Sequence, residues 1–369
     1  MKIAHIVDSM EVGGAETLVY QMCRFQRQQG HDPRVYAIAA LGLLGEAMRK
    51  EGFLVESNVG NHFADSALQF YKIFKNTRPH IVHLHNPTPT IYAALSARLA
   101  GVKCIVSTRH SLVAAPHRLM VEGKYAAAAA SCDWVVGICD ATVQNLLNLR
   151  TTPRRKVRRI YNGALPLEHA APETIPVKTG FTLLYVGRLV PVKNHSLLLK
   201  AFHLALSTLP DLRLWIVGDG NERQRTETLA AHLGISTQVT FWGQQMEVAP
   251  FFSAADAFIM SSTSEGLPMS LLQAFSLGLP AIVTDVGGMS EVVRLARAGM
   301  TVSLADPKAM AAAILRFATS ESERQHCGAR AKASFEDRFS LESMVNAYFD
   351  LYRAAPRMRY TAPGKPASA

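Results

Sequence analysis

Two basic side chains lie on one short stretch of the sequence, VGRLVPVKN, which contains Arg188 and Lys193. Pro191 stiffens the chain between them, because its ring fixes one backbone angle. An Arg guanidinium binds phosphate oxygens as a two-pronged donor and a Lys ammonium acts as a point charge, so the pair could hold a diphosphate. Two solvated basic side chains are the simpler interpretation of this stretch taken alone.

A lone carboxylate, Glu265, precedes a predicted helix in the stretch SSTSEGLPMSLLQ. Pro268 suits the first helical position, and the pattern predicts a helix near residues 268–277. Gln273 within that helix and Glu265 before it could both contact a ligand over the first turn, where free N–H groups add partial positive charge. An exposed loop acid and a surface amide are the alternatives.

Weaker candidates occur in the first half of the chain. Gly13 and Gly14 lie between a predicted strand and a predicted helix, where backbone N–H groups can face a phosphate. The sequence has neither a G-x-G-x-x-G pattern nor a P-loop pattern, so dehydrogenase and P-loop functions lose their main support. His110, in STRHS, would ordinarily be a structural hydrogen-bonding residue. His83 and His85 share a strand face without a third metal ligand in view, and we interpret them as packing or hydrogen-bonding residues.

Short apolar runs that alternate with helix-period segments must position these side chains. The runs are KIAHIV, PRVYAIA, HIVHLH, KCIVST and WVVGIC in the first half, and FTLLYVG, LRLWIVG, QVTFWG, AFIMSS and PAIVTD in the second. Continuous runs predict strands covered on both faces, and therefore parallel sheets with helices on each side. Each candidate loop follows one of these strands. The sequence therefore predicts an α/β protein with two Rossmann-like, doubly wound domains facing across an interdomain cleft, with the candidate side chains at the carboxyl ends of the strands.

The proline-containing segment ALPLEHAAPETIPVKTG separates the two halves, as a linker should. The predicted organisation is an N-terminal domain at 1–166, a C-terminal domain at 167–339, a C-terminal helix at 340–355 and a flexible tail at 356–369. A chain of 369 residues with 49% hydrophobic residues is long enough for two cores.

The formal net charge of +10 favours an acidic partner. The strongest basic run, RTTPRRKVRR, has no interleaved aromatic residue and no accompanying nucleic-acid module, so a nucleic-acid partner is not expected. A solvated loop is the ordinary interpretation of such a run. An anionic membrane surface or lipid phosphate headgroup is the alternative.

Cysteine usage and hydropathy predict where the protein works. The five cysteines include no C-x-x-C pair, which indicates buried free thiols in a reducing compartment. The first apolar run is too short for a signal peptide, and no run approaches the roughly 18 apolar residues of a membrane span. We therefore expect a cytoplasmic protein, at most peripheral on the inner face of the cytoplasmic membrane.

With VGRLVPVKN, WIVGDGNER and SEGLPMSLLQAFSLGLPAIVTDVGG in this order, the chain resembles a retaining glycosyltransferase of family 4, the glycosyl transferases group 1, with the GT-B fold. The resemblance runs from GGAE to the helical C-terminus. It implies transfer of a hexose from a nucleotide-diphosphate sugar, with a UDP sugar favoured, to a glycan or lipid-linked acceptor in cell-surface polysaccharide or glycolipid synthesis. No organic cofactor is expected, because the nucleotide sugar is a co-substrate, and no metal is expected, because the sequence has no D-x-D metal motif of the kind seen in other transferases.

The resemblance also implies roles for the candidate residues. Arg188 and Lys193 would neutralise charge on the departing nucleoside diphosphate, Glu265 would hold hydroxyls of the donor sugar, and His110 would reach the sugar from the N-terminal, acceptor-side domain. The C-terminal domain would bind the nucleotide sugar. Substrate-binding positions of the family fall on Gly13, Gly14, Gly266, Leu267, Pro268, Met269 and Gln273.

Gln273 departs from the family pattern, in which this position is the second acid of an E-x7-E element and binds the ribose. An amide can still bind hydroxyls, so we expect altered nucleotide affinity. Two alternatives remain: a nucleotide-sugar 2-epimerase of the same fold, and a nucleotide-sugar-binding scaffold without turnover. Family members often return their last helix to the first domain, and residues 340–355 could do so here.

Overall fold

The chain forms two compact units: the first comprises Met1–Tyr161 and Leu341–Ala369, and the second Asn162–Ser340. The computed structural model describes residues 1–39, 41–57, 63–112, 119–171 and 177–358. Residues 172–176 of the predicted linker and 359–369 of the predicted tail lie outside this part. The chain enters the second unit before the predicted boundary at 166/167, because the Asn162 amide already donates to the Leu267 carbonyl and Ala164 pairs with Ser340.

Each unit contains one wholly parallel sheet. The strands of the first are β1 Lys2–Val7, β2 Asp32–Ala37, β3 Leu54–Glu56, β4 Ile81–His85, β5 Cys104–Arg109, β6 Trp134–Gly137 and β7 Val157–Arg159. Those of the second are β8 Thr182–Val186, β9 Arg213–Val217, β10 Val239–Gly243, β11 Ala257–Met260, β12 Ala281–Thr284 and β13 Gly299–Val302. The orders are β3-β2-β1-β4-β5-β6-β7 and β10-β9-β8-β11-β12-β13. The winding therefore reverses between β1 and β4 and between β8 and β11.

Helices connect the strands of both sheets. In the first unit they are α1 Gly14–Gln28, α2 Gly42–Lys50, α3 Phe63–Thr77, α4 Pro87–Leu99, α5 Leu119–Ala129 and α6 Asp140–Asn148. In the second they are α7 His195–Leu206, α8 Arg223–His232, α9 Ala249–Ala254, α10 Met269–Ser276, α11 Gly287–Ala296, α12 Pro307–Thr319 and α13 Glu321–Ser334. The last helix of the chain is α14 Leu341–Arg353.

The central strands are buried along their whole length, as their continuous apolar runs predicted. Every residue of β4, β5, β11 and β12 is buried. Alternate residues of a strand point to opposite faces, so full burial requires helices on both sides of each sheet. The two Rossmann-like, doubly wound domains predicted from the sequence are therefore present.

The last helix, α14, lies against the first unit although it follows the whole second unit in sequence. The Tyr352 hydroxyl is 2.8 Å from His83 Nδ1 in β4, and the Tyr348 hydroxyl is 3.0 Å from Thr108 Oγ1 in β5. Both tyrosines are buried, so their hydroxyls need these partners. Two specific polar contacts thus fix α14 on the sheet.

Replacing Tyr352 with Phe should lower the free energy of unfolding of the first unit by about 1–3 kcal/mol, because a buried ring nitrogen of His83 then lacks its partner. Tyr348→Phe is the matched control. Its partner Thr108 keeps a second hydrogen bond, at 2.7 Å to His83 Nε2, so the loss should be smaller. Urea titrations of both variants measure the difference, and equal losses would contradict this account of α14.

Candidate functional site

In the second unit, the loops after β8 and β11 lie side by side, because these two strands are neighbours at the reversal of winding. Ligands of doubly wound sheets bind beyond the carboxyl ends of the strands at this place. The β8 loop carries Arg188 and Lys193, and the β11 loop carries Glu265. The topology therefore brings together the three charged residues that the sequence singled out in this half.

Lys193 and Glu265 form an ion pair at this edge, with Nζ 2.5 Å from Oε2. Both side chains are largely shielded from water, at 12% and 19% exposure, so the attraction is stronger than that of a surface pair. The Ser261 hydroxyl contacts the carbonyl oxygens of Lys193 and Asn194 at 2.8 and 3.0 Å, and the Thr263 N–H donates to the Val192 carbonyl at 2.8 Å. The two loops are therefore held as one rigid surface.

Arg188 is exposed on the same loop, and within the described part of the chain its guanidinium has no ion-pair partner. Its carbonyl accepts a hydrogen bond from the Tyr185 hydroxyl at 3.2 Å. Burial raises the pKa of Tyr185, the nearby Glu265 carboxylate raises it further, and Arg188 opposes the rise. The charges of Glu265 and Arg188 thus act in opposite directions on the same hydroxyl, and Arg188 is an available cation on the loop that also carries Lys193.

The segment from Gly266 to Pro268 leads from Glu265 into α10, which begins at Met269, one residue after the predicted start. Its backbone oxygens are used, since the Gly266 carbonyl accepts from the Gly288 N–H at 2.7 Å and the Leu267 carbonyl from Asn162 at 3.1 Å. Pro268, at the N-cap, supplies no side-chain cap. The first turn of α10 therefore keeps N–H groups available for an anion.

Gln273 lies in the second turn of α10 and is partly buried. Its backbone carbonyl accepts a hydrogen bond from the Ser276 hydroxyl at 2.8 Å. The helix thus carries the amide on a defined backbone.

In the first unit, Gly13 is the N-cap of α1, and Gly14 is the first residue of that helix. Gly13 has extended backbone angles, φ −156° and ψ 166°, which other residues also adopt. A Cβ there would meet the end of the flexible Glu16 side chain, so the structure does not by itself require glycine at this position. The two glycines lie where the sequence predicted them, after β1 and at the start of a helix.

His110 follows β5 and makes hydrogen-bond contacts with two residues, His85 and Asn86. Its Nε2 is 3.1 Å from His85 Nδ1, and its backbone N–H donates to the Asn86 side chain at 3.1 Å. Its Nδ1 is buried and has no hydrogen-bond partner among the described residues. Burial lowers the pKa of His110 to about 4, so the ring is neutral near pH 7. A neutral ring with one unused nitrogen is suited to bind a hydroxyl.

Sequence reasoning missed the third member of a histidine cluster. His5, His83 and His85 are buried, and each offers a ring nitrogen within 4.8 Å of the others. Both nitrogens of all three rings already have hydrogen-bond distances to protein partners, which are Gln26, Tyr352, Thr108, His110 and one another. The interpretation of His83 and His85 as hydrogen-bonding residues therefore agrees with these contacts. His5 was overlooked because it lies in a different strand.

The basic run RTTPRRKVRR is only in part a solvated loop. Residues Val157–Arg159 form β7, and Lys156 Nζ donates to the carbonyls of Ala130 and Cys132, both at 2.8 Å. The Arg158 guanidinium lies over the Trp134 ring, 4.3 Å from its centroid. Fewer of these cations are therefore free for an outside partner than the sequence indicated.

Two further expectations concern the whole chain. All five cysteines are free and buried, as predicted. Within the described residues, no helix combines the length and the apolar character needed to cross a bilayer.

Comparison with known proteins gives matches over both units. A model of the family described as "Glycosyl transferases group 1" matches residues 170–334, and one described as "Glycosyltransferase Family 4" matches residues 12–164. The chain is 33% identical over 171 residues to the lipopolysaccharide core biosynthesis glycosyltransferase LpsE of Rhizobium meliloti. The aligned region covers 46% of this chain and 49% of LpsE. The chain thus spans about half the length of this relative.

A longer match is with an Escherichia coli enzyme named UDP-Gal:alpha-D-GlcNAc-diphosphoundecaprenol alpha-1,3-galactosyltransferase, which is 26% identical over 78% of both chains. Among solved structures, Anabaena HepE in complex with UDP has a TM-score of 0.85 and 18% identity, and the match covers 95% of this chain and 99% of HepE. At this identity the structural likeness establishes the fold alone.

Proposed function

The chain belongs to the group 1 glycosyltransferases and has the GT-B fold, and from this premise we propose that it transfers a hexose from a nucleoside-diphosphate sugar, with retention at the anomeric carbon. The observation that carries the proposal is the Lys193–Glu265 pair at the carboxyl edge of the second sheet, together with the exposed Arg188 on the loop of Lys193. Cations suit the diphosphate, and a carboxylate suits the hydroxyls of the sugar.

In the proposed reaction, the bond between the anomeric carbon and the diphosphate oxygen breaks as the acceptor oxygen bonds to the same face of that carbon. A donor phosphate oxygen takes the acceptor proton, and the nucleoside diphosphate leaves. Arg188 and Lys193 stabilise the negative charge that develops on the leaving group. Glu265 and His110 hold hydroxyls of the sugar, and the N–H groups at the start of α10 add partial positive charge. These two cations supply the stabilisation in the proposed reaction, and the proposal includes no metal.

We propose a UDP sugar as the donor and a glycan or lipid-linked acceptor of cell-surface polysaccharide or glycolipid synthesis. The names of the relatives support both choices, since the E. coli enzyme is named for a UDP-galactose donor and a diphosphoundecaprenol acceptor. LpsE is named for the lipopolysaccharide core. A cytoplasmic location accords with five free thiols, which persist in a reducing compartment.

Release of nucleoside diphosphate tests the proposal. The protein is incubated with each of a panel of UDP sugars and an extract of cell-envelope lipids, with a chelator present, and the product is checked for an α-linked sugar. Release that requires the extract supports a transferase. Conversion of the donor without extract would identify the epimerase alternative, and donor binding without any turnover would identify the scaffold. Either outcome, or release that occurs only when the chelator is left out, would contradict part of the proposal.

Gln273 bears on nucleotide affinity. If its amide binds the ribose hydroxyls, Gln273→Glu should tighten UDP binding about 3- to 10-fold, because a carboxylate is the stronger acceptor. Isothermal titration with UDP measures the change. Gln325→Glu, at an exposed glutamine of α13 in the same unit, is the control for the added negative charge. Unchanged or weaker binding by the Gln273 variant alone would argue against the ribose contact.

We propose that the first unit rests on an anionic membrane surface through Arg154 and Arg155, which are exposed in the basic run. The charge of +10 supports attraction to anionic lipid. Pelleting with vesicles that contain phosphatidylglycerol, but not with neutral phosphatidylcholine vesicles, is the expected result. The double variant Arg154→Glu, Arg155→Glu should reduce pelleting several-fold. Equal pelleting with both lipids would contradict binding to an anionic membrane surface.

A further inference from the structure

Four side chains of the first unit form a hydrogen-bonded series that leads from α1 to the residue after β5. Gln26 Oε1 is 2.9 Å from His5 Nε2, His5 Nδ1 is 3.0 Å from His85 Nε2, and His85 Nδ1 is 3.1 Å from His110 Nε2. Gln26, His5 and His85 are fully or almost fully buried, with no more than 2% exposure. The Gln26–His5 and His5–His85 contacts are therefore shielded from bulk water, and the His85–His110 contact is partly shielded.

All three rings of the series are neutral near pH 7. Burial lowers the pKa of His5 and of His110 to about 4 and holds the pKa of His85 well below its ordinary value. A neutral imidazole has one N–H and one bare nitrogen, so a ring that donates on one side must accept on the other. The direction of the first hydrogen bond therefore determines the direction of the other two.

Gln26 is the first member of this hydrogen-bonded series, at the end opposite His110. When its Oε1 accepts from His5 Nε2, His5 Nδ1 is bare and accepts from His85 Nε2. His85 Nδ1 then accepts from His110 Nε2, which leaves His110 Nδ1 bare. That atom is the buried nitrogen that has no partner among the described residues.

We propose that Gln26, acting through His5 and His85, is a positioning residue that holds His110 in the tautomer whose bare Nδ1 accepts a hydrogen bond from a hydroxyl of the donor sugar. The identity of the ligand rests on the function proposed above, whereas the tautomer rests on the hydrogen bonds and on the orientation of the Gln26 amide, whose buried Nε2 has no partner among the described residues. The proposal gives a role to a glutamine that lies on a helix and touches no candidate site residue directly.

Nuclear magnetic resonance of protein labelled with ¹⁵N in its histidines tests the tautomer without substrate, because a protonated and a bare ring nitrogen differ in chemical shift. In the native protein we expect a protonated Nε2 and a bare Nδ1 for His110, assigned with a His110→Gln variant. Gln26→Leu should convert this single tautomer to a mixture. It should also lower kcat/KM for the donor about 3- to 10-fold, as expected for one weakened hydrogen bond.

The matched control is Gln28→Leu, at an exposed position of the same helix, which should change neither the spectrum nor the rate. Gln26→Met, with an unbranched side chain, serves if the Leu variant does not fold. A protonated Nδ1 in the native protein, or an unchanged His110 spectrum in a folded Gln26 variant, would overturn the proposal. If the spectrum changes as expected but no sugar transfer is found, the control of the His110 tautomer by Gln26 stands and the proposed function fails.

Discussion

Lys193→Ala should lower kcat about 10²- to 10³-fold. In the proposed reaction its ammonium faces charge that develops on the leaving diphosphate, and removal of one such preorganised group typically costs this much. The substitution also leaves the Glu265 carboxylate, which is 19% exposed, without its partner. Steady-state release of nucleoside diphosphate measures the loss, and thermal unfolding checks that the variant remains folded.

Lys200→Ala is the matched control, because Lys200 is exposed on α7 of the same unit. It should retain the native rate. Arg188→Lys gives a second comparison, since an ammonium keeps the charge but loses the two-pronged geometry that binds phosphate. If Lys193→Ala kept kcat within about 3-fold of the native value, the assignment of Lys193 to the leaving group would be wrong.

Gly218→Ala should lower the free energy of unfolding of the second unit by about 2–5 kcal/mol, through backbone strain together with overpacking. Gly218 follows β9 at φ +132°, a conformation that strongly favours glycine. A Cβ there would lie 2.0 Å from the Gly187 carbonyl oxygen. The clash displaces backbone next to Arg188, so nucleotide binding should weaken as well.

Urea unfolding followed by tryptophan fluorescence suits this measurement, because Trp215 and Trp242 both lie in the second unit. Gly123→Ala is the control. This glycine lies inside α5, and a Cβ there would meet nothing within 4 Å. Alanine is the better helix former, so its variant should be unchanged or slightly more stable. A Gly218 variant as stable as the native protein would contradict the close approach of the two loops.

The buried central strands were predictable because a parallel strand covered on both faces leaves a continuous apolar run. Three strands were missed: Leu54–Glu56, Val157–Arg159 and Gly299–Val302. Each lies at an edge of its sheet, where a strand is short and one side lacks a neighbour. The second of these also falls within the basic run, whose charge pointed to a loop. These three strands therefore lack the apolar signal on which the prediction depends, whereas the edge strand Val239–Gly243 has it and was predicted.

The candidate site was predictable at the level of loops but not of contacts. Arg188, Lys193 and Glu265 follow neighbouring strands, and strand order could be inferred from the doubly wound pattern. The Lys193–Glu265 pair joins residues 72 positions apart, and the His5–His85 contact spans 80 positions. Nothing in local sequence encodes such distances, because they arise only when strands distant in sequence become neighbours. Gln26 had no signal at all, since a single glutamine on a helix is ordinarily a surface residue.

A crystal structure of the protein with UDP is the most direct test of the central claim, that the carboxyl edge of the second sheet binds a nucleoside diphosphate. The account predicts diphosphate oxygens within hydrogen-bond distance of the Arg188 guanidinium and Lys193 Nζ, with the terminal phosphate toward Glu265. A diphosphate bound elsewhere, with Arg188 and Lys193 both facing solvent, would contradict it.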